Sequence, residues 1–397
     1  MLRFDPYDPE FHANPYPIYA RLRDEAPVFH NPELKFWALS RFEDVLAAHA
    51  DGATFSSAGG VTIEGAEAGA PLLILKDEPE HGWAKRLVSR LFSRHRMAGL
   101  DVFIRQRAVE LLEQLAEEAA DGEFDFVSRF TVILPLDVIG ELLGLPPEFR
   151  AEFHHLSNIT VLRGAESDPA ATAAARVRSY QMLLALAQER RANPREGDVI
   201  SMLIEDEVQD ETGAKHMLSD HELAARFLEM AFAGHETVAK AIPNGAMAFH
   251  NFPDERRKLV ADRSLLPNAV DEIMRYDPPS QLQGRTTTRD VTLHGVTIPA
   301  GQRTMLLTGA ATRDPRAFEE PDRFDITRPI DVKSIYFGYG VHKCLGIHLA
   351  RQEIAIAFDE LFKRFPDYEV DPGWITRKVL SNVRGVASLP IRLGRHA

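Results

Sequence analysis

Cys344 is the only cysteine in 397 residues, and it stands in Phe-Gly-Tyr-Gly-Val-His-Lys-Cys-Leu-Gly, from Phe337 to Gly346. A lone thiol is commonly an inert, buried small residue. The glycines around it, Gly338, Gly340 and Gly346, change that reading. Glycine admits tight backbone turns and leaves room for a flat object. The run after Gly346, IHLARQEIAIAFDELFKRF, has helical periodicity. Cys344 is therefore expected at a helix N-terminus, where orphan amides and the positive dipole end stabilise a thiolate. A thiolate beside an opening built from glycine suits a metal centre of large area. A dinucleotide loop fits less well, because the third glycine of that fingerprint is missing. Zinc needs several Cys or His ligands; His342 and His348 are near, but there is no second thiolate.

A second group interrupts an apolar run at Ala233-Gly-His-Glu-Thr237. Glycine within a helix costs about 1 kcal/mol relative to alanine, and a buried Glu236 and Thr237 need partners. The residues alone leave a solvent-facing polar stripe open. The zinc motif His-Glu-x-x-His fails, since position 239 is alanine. Pro243 removes the bond to the Ala239 carbonyl and is expected to kink the helix. Glu272 and Arg275 are three apart, on one helical face, a spacing that alone signifies little.

Together these residues resemble the cytochrome P450 family. Phe337, Gly340, Cys344, Gly346, Ala350 and Glu353 match its haem-binding signature, and the matching elements run in order over nearly the whole chain. The resemblance implies haem b (iron protoporphyrin IX), with Cys344 as the iron ligand and Phe337, Gly338, Gly346 and Ala350 lining the macrocycle. It implies Glu236 and Thr237 as an acid–alcohol pair above it. Thr237 is also expected to bond the Ala233 carbonyl. Glu272 and Arg275 would lock a helix to the segment around Arg313, Phe318, Pro321, Phe324, Asp325 and Arg328. Haem propionates need cationic donors, which map to His81, Lys85, Arg285 and His342. Lys85 stands where the family has arginine and lacks the bidentate fork, so Arg86 is a second candidate. A substrate pocket is expected from segments near 58–75, 155–180, 229–238, 280–286 and 381–385, with Leu72, Leu73, Ile74, Phe232, Ala233, Val238 and Leu282 as its walls.

The elements that must position these groups are mostly helical. Periodicity predicts helices over 79–99, 101–119, 129–144, 147–163 and 170–192. A longer one spans 219–251, opened by a capping box at Ser219 and Glu222. Strand signals are short: a hairpin over 291–298 around His294-Gly295, a run from Arg303 to Leu307, and a pair near 379–393. Stretches 58–70 and 164–176 read as loops or loop-flanked helix. The expectation is a mainly α fold with a minor β part, one domain over 1–397, with the haem between the long helix and the helix after the cysteine loop.

The net charge of −13 argues against general nucleic-acid binding. One cysteine makes no internal disulfide, and there is no signal peptide or long apolar run, so a cytoplasmic monomer without a membrane anchor is expected. The resemblance implies a monooxygenase that uses dioxygen on an apolar small molecule. Its electrons would come from a ferredoxin and ferredoxin reductase, or an equivalent donor, docking at cations such as Lys343, Arg351, Arg90 and Arg94. Peroxide-driven chemistry and a haem-based sensor are the alternatives.

Overall fold

The computed structural model describes residues 2–66, 72–118, 123–162, 167–195, 199–205, 207–209, 214–329, 334–380 and 382–393. Parts of the segments 58–70 and 164–176 and residue 381 lie outside the described residues, as do the side chains of Arg94 and His95.

The longest element is the helix Asp220–Asn251. Its start is the expected capping box: Ser219 Oγ accepts from the Glu222 amide at 3.3 Å, and the Ser219 amide donates to Glu222 Oε2 at 2.9 Å. Thirty-two residues span about 48 Å. This central helix packs against Ile133–Leu143, Pro169–Ala192, Leu266–Tyr276 and Ile347–Arg364. Helix assignment continues through Pro243. The Ala239 carbonyl that proline leaves without its helical donor accepts instead from Thr131 Oγ1 at 3.2 Å. Thr131 ends a one-turn π segment, Val127–Thr131.

Two glycines allow close approach of helices. A Cβ on Gly234 would lie 2.6 Å from Ile139 Cδ1, and one on Gly245 would lie 2.7 Å from Phe358 Cζ and 2.8 Å from Ile273 Cδ1. The helical cost of Gly234 therefore serves packing against Ile133–Leu143.

The β part is small. Val28–Asn31, Phe36–Leu39, Arg303–Leu306, Gln283–Thr287 and Phe55–Ser56 form a five-stranded sheet in that spatial order. Phe36–Leu39 and Arg303–Leu306 run parallel; the other neighbours are antiparallel. The hairpin Val291–Leu293 with Val296–Ile298 turns on His294 and Gly295, both with positive φ. The largest apolar core surrounds the central helix, and two smaller ones lie about the five-stranded sheet.

Three sequence expectations differ. Residues 79–99 are three pieces, Glu80–Ser89, a 3-10 turn Arg90–Phe92 and Arg94–Gly99, parted at the extended Ser93. The segment predicted as a helix from 129 begins as the π turn, and the α-helix starts at Ile133. No hairpin forms within 379–393 among the described residues; Pro390–Leu393 pairs instead with Tyr368–Val370 and Glu123–Asp125. Strand pairing with distant segments overrode the local signal there.

Candidate active site between the cysteine loop and the central helix

The cysteine loop is shaped by its backbone. Gly338 and Gly340 hold φ of 72° and 69°, where a side chain is strained. A Cβ on Gly340 would also lie 2.6 Å from the His49 carbonyl. These two glycines thus serve turn geometry first. Gly346 differs: a Cβ there would meet nothing closer than Phe92 at 4.0 Å, so it borders open space. Gly346 caps Ile347–Arg364, which places Cys344 just ahead of the helix start. The Cys344 amide donates to the Phe337 carbonyl at 2.9 Å and closes the loop.

Above the loop lies a cavity of about 310 Å³. Phe337, Gly338, Cys344, Gly346, Leu349 and Ala350 line one side, and Ala233, Gly234, Thr237, Val238 and Ala241 of the central helix face them. Cys344 is accessible, yet it is surrounded by protein and opens onto this cavity. Burial pushes its thiol up, while the Gly346 amide and the Lys85 charge oppose that rise. Glu353, three residues past Ala350, is buried, and its Oε2 has no partner. Burial pushes its carboxyl well above the usual range.

One wall gathers basic groups from four elements: His49, His81, Lys85, Arg285 and His342. The His81 and His342 rings are 4.2 Å apart. Burial and the neighbouring cations push His342 down to about 3; burial and Arg285 do the same to His49. Arg285 falls to about 10, chiefly by burial and then by Arg303. Both ring nitrogens of His49 are buried, with the Gln283 side chain beside the ring and no charged partner. His81 Nδ1 meets Glu78 Oε1 at 3.1 Å, but no carboxylate hydrogen-bonds the other four among the described residues, and two carboxylates of a bound group would satisfy them. Lys85 Nζ donates to the Val341 carbonyl and stands 3.4 Å from that of Lys343, so it also ties the helix Glu80–Ser89 to the cysteine loop. Arg86 is exposed and off the cavity wall. His49 was absent from the sequence reading. Nothing local marks it, because its role depends on the fold bringing Phe42–Ala50 against Gly340.

Thr237 and Glu236 diverge. Thr237 lies on the cavity wall and its Oγ1 donates to the Ala233 carbonyl at 3.3 Å. Glu236 is buried off the wall, with Lys240 Nζ at 3.1 Å and His235 Nε2 at 3.8 Å. Burial raises its carboxyl, but Lys240 and His235 outweigh burial and hold it below the usual range. His235 in turn donates from Nδ1 to the Ala231 carbonyl at 2.7 Å, with Ser157 Oγ 3.2 Å from Nε2.

Glu272 and Arg275 are both buried and bidentate, at 2.7 and 2.8 Å. Arg275 also donates to the carbonyls of Thr312, Pro321 and Arg323, and Glu272 accepts from the Asp325 amide. The pair joins Leu266–Tyr276 to the segment 312–325.

Of the expected pocket residues, Leu73, Ile74, Ala233 and Val238 line the cavity. Leu72, Phe232 and Leu282 do not. Phe232 packs on Phe153 and His235; Leu282 belongs to the cluster of Phe4, Tyr19 and Phe36. No described residue of 155–180 reaches the wall. Met230, Arg226 and Glu229 do, and the sequence reading had not singled them out.

A family model described as cytochrome P450 matches residues 167–384. Cytochrome P450 123 of Mycobacterium tuberculosis is 39% identical over 98% of this chain and 96% of its own. The vitamin D(3) 25-hydroxylase of Pseudonocardia autotrophica is 36% identical over 98% and 96%. The structure of the cytochrome P450 of the Bacillus subtilis bacillaene polyketide synthase superposes with a TM-score of 0.88 at 31% identity, covering 99% of this chain and all of that one. The chain belongs to the cytochrome P450 family and is a monooxygenase of small molecules. The family implies haem and a redox partner. Cys344 at the cavity floor, the open space at Gly346 and the anion-seeking basic wall fit that group. No helix among the described residues is long and apolar enough to cross a membrane.

Proposed function

We propose that this protein binds haem b in the cavity and inserts one atom of dioxygen into a C–H bond of an apolar substrate. The other atom leaves as water, with two electrons from a ferredoxin and its reductase and two protons from solvent. The observation that carries the reading is the meeting of one accessible thiol, Cys344, with a basic wall in which Glu78 meets only His81 and no carboxylate hydrogen-bonds Lys85, Arg285 or His342 among the described residues. Haem held by a cysteine thiolate supplies dioxygen activation and O–O cleavage.

The residues divide the remaining work. Cys344 is the iron ligand; metal binding deprotonates a thiol outright and offsets the burial that raises it here. His49, His81, Lys85, Arg285 and His342 hold the propionates. Thr237 Oγ1, donating to Ala233, keeps its lone pairs for a water proton and places that water over the cavity floor. Glu236, held ionised by Lys240 on the neighbouring helix face, takes up a proton from solvent and passes it on toward Thr237. Val61, Leu73, Ile74, Met230 and Val238 exclude water and receive the apolar body of the substrate.

Docking of the electron donor uses exposed Lys343 beside the loop; Arg351 contributes less, since Asp271 holds it at 2.6 Å. Its sign is a ferredoxin-driven reduction rate that falls with ionic strength. In the same reading the protein works as a cytoplasmic monomer.

Two substitutions test the core. Cys344→Ala removes the thiolate signature of the ferrous carbon monoxide complex; retention of the signature would refute the ligand. Thr237→Ala keeps electron consumption but diverts it to hydrogen peroxide, and unchanged coupling would place proton delivery elsewhere.

A further inference from the structure

Arg226 lies on the central helix and lines the same cavity as Thr237. Eleven residues of helix separate them, about 16 Å along the axis. Met230 and Ala233 continue the stripe between them. Arg226 is only 9% exposed, yet its Nε and Nη1 have no hydrogen-bond partner. Its one ion-pair contact among the described residues is Glu229 Oε2 at 3.8 Å, too long for a hydrogen bond.

Glu229 does not fill that need. Its two oxygens each accept a backbone amide, from Leu73 and Ile74, both at 2.7 Å. Those bonds fasten the turn Leu73–Leu75 over the cavity. They also spread the carboxylate charge into two peptide dipoles, which weakens its repulsion of a second anion. A buried guanidinium with unfilled donors is costly unless an acceptor arrives. Its planar fork matches an oxyanion bidentately. Apart from Glu229, the helix wall between Arg226 and Thr237 is apolar, formed by Met230, Ala233 and Gly234.

We propose that the substrate is an amphipathic carboxylate whose head group docks on Arg226 and whose apolar chain runs along the central helix to Thr237. This deepens the function proposed above and rests on it for the site of oxidation, though not for binding. The arrangement makes Arg226 a specificity residue. It holds the carboxylate end away from the floor of the cavity and presents a carbon remote from that end to it.

The test uses the haem-loaded protein and matched pairs of straight-chain acids, from decanoic to octadecanoic, with their methyl esters, measured by calorimetry. For at least one chain length the acid binds about tenfold or more tightly than its ester. Arg226→Gln abolishes that preference and leaves ester binding unchanged, while Arg226→Lys retains part of it. The ferrous carbon monoxide spectrum of each variant reports an intact fold. Acid and ester binding alike at every length, no carboxylate binding at all, or an Arg226→Gln loss equal for both members of a pair would each overturn the proposal. Failure of the monooxygenase reading looks different: the thiolate signature or product is missing while the acid preference persists.

Discussion

Two Arg–Glu pairs, each three residues apart on a helix, behave in opposite ways. In Glu272–Arg275 the carboxylate and guanidinium meet bidentately, three carbonyls take up further donors of the arginine, and an amide engages the glutamate. In Arg226–Glu229 the closest approach is 3.8 Å, the glutamate is spent on two amides, and the arginine is left with open donors. Spacing is the same, and the second pair is somewhat less buried; the larger difference lies in what the rest of the chain brings to the guanidinium. A satisfied buried pair holds elements together. An unsatisfied one beside a cavity is a place for something else to bind.

The largest effect should come from breaking the satisfied pair. Arg275→Leu leaves Glu272 buried without its partner and strips donors from three carbonyls, an expected loss of about 3–5 kcal/mol. The midpoint of urea unfolding measures it; a change below about 1 kcal/mol would mean that the pair is not a brace.

A middle-sized effect belongs to the basic wall, where only His81 meets a carboxylate. His49 and His342 are neutral in the folded chain down to about 3, against 6.5 when unfolded. Between those values the unfolded chain binds more protons, so stability rises with pH. Haem-free protein should therefore lose stability steadily as pH falls from 6.5 toward 3, and His49→Gln should flatten that limb. Thermal midpoints across the range decide it, a flat profile in the unsubstituted protein being the contrary result.

The smallest effect should be on stability at Arg226. Arg226→Gln removes a charge whose donors were unfilled, while Glu229 keeps its two amides, so unfolding free energy should change by within about 1 kcal/mol. A loss as large as that of Arg275→Leu would erase the contrast between the pairs and assign Arg226 to scaffolding. With acid preference lost and stability kept, the contrast becomes a division between bracing and binding.

The cysteine loop was legible because its demands are local. Two glycines must take positive φ, a helix must follow, and the thiol must stand at its start. The capping box at Ser219 and the His294-Gly295 turn were legible for the same reason. Pocket residues were less so, although part of the signal was present. In the strand Gln283–Thr287, side chains alternate between faces. Gln283 and Arg285 face the cavity, so Leu282 must point the other way, into the cluster with Phe4 and Tyr19. On the central helix the cavity stripe runs 226, 230, 233, 237, and Phe232 falls beside it. That stripe, read from Thr237 backward, leads to Arg226.

By itself the sequence determined the family, the mainly helical fold and the order of its elements, since these follow from periodicity, caps and short motifs. Tertiary structure decided how each buried charge is met. It gave Arg275 its carbonyls, turned Glu236 to Lys240, buried His49 beside Gln283 and left Arg226 open to the cavity. The physical reason is that a hydrogen-bond partner may come from any point in the chain. Whether a buried donor is satisfied is settled only when distant backbone arrives beside it.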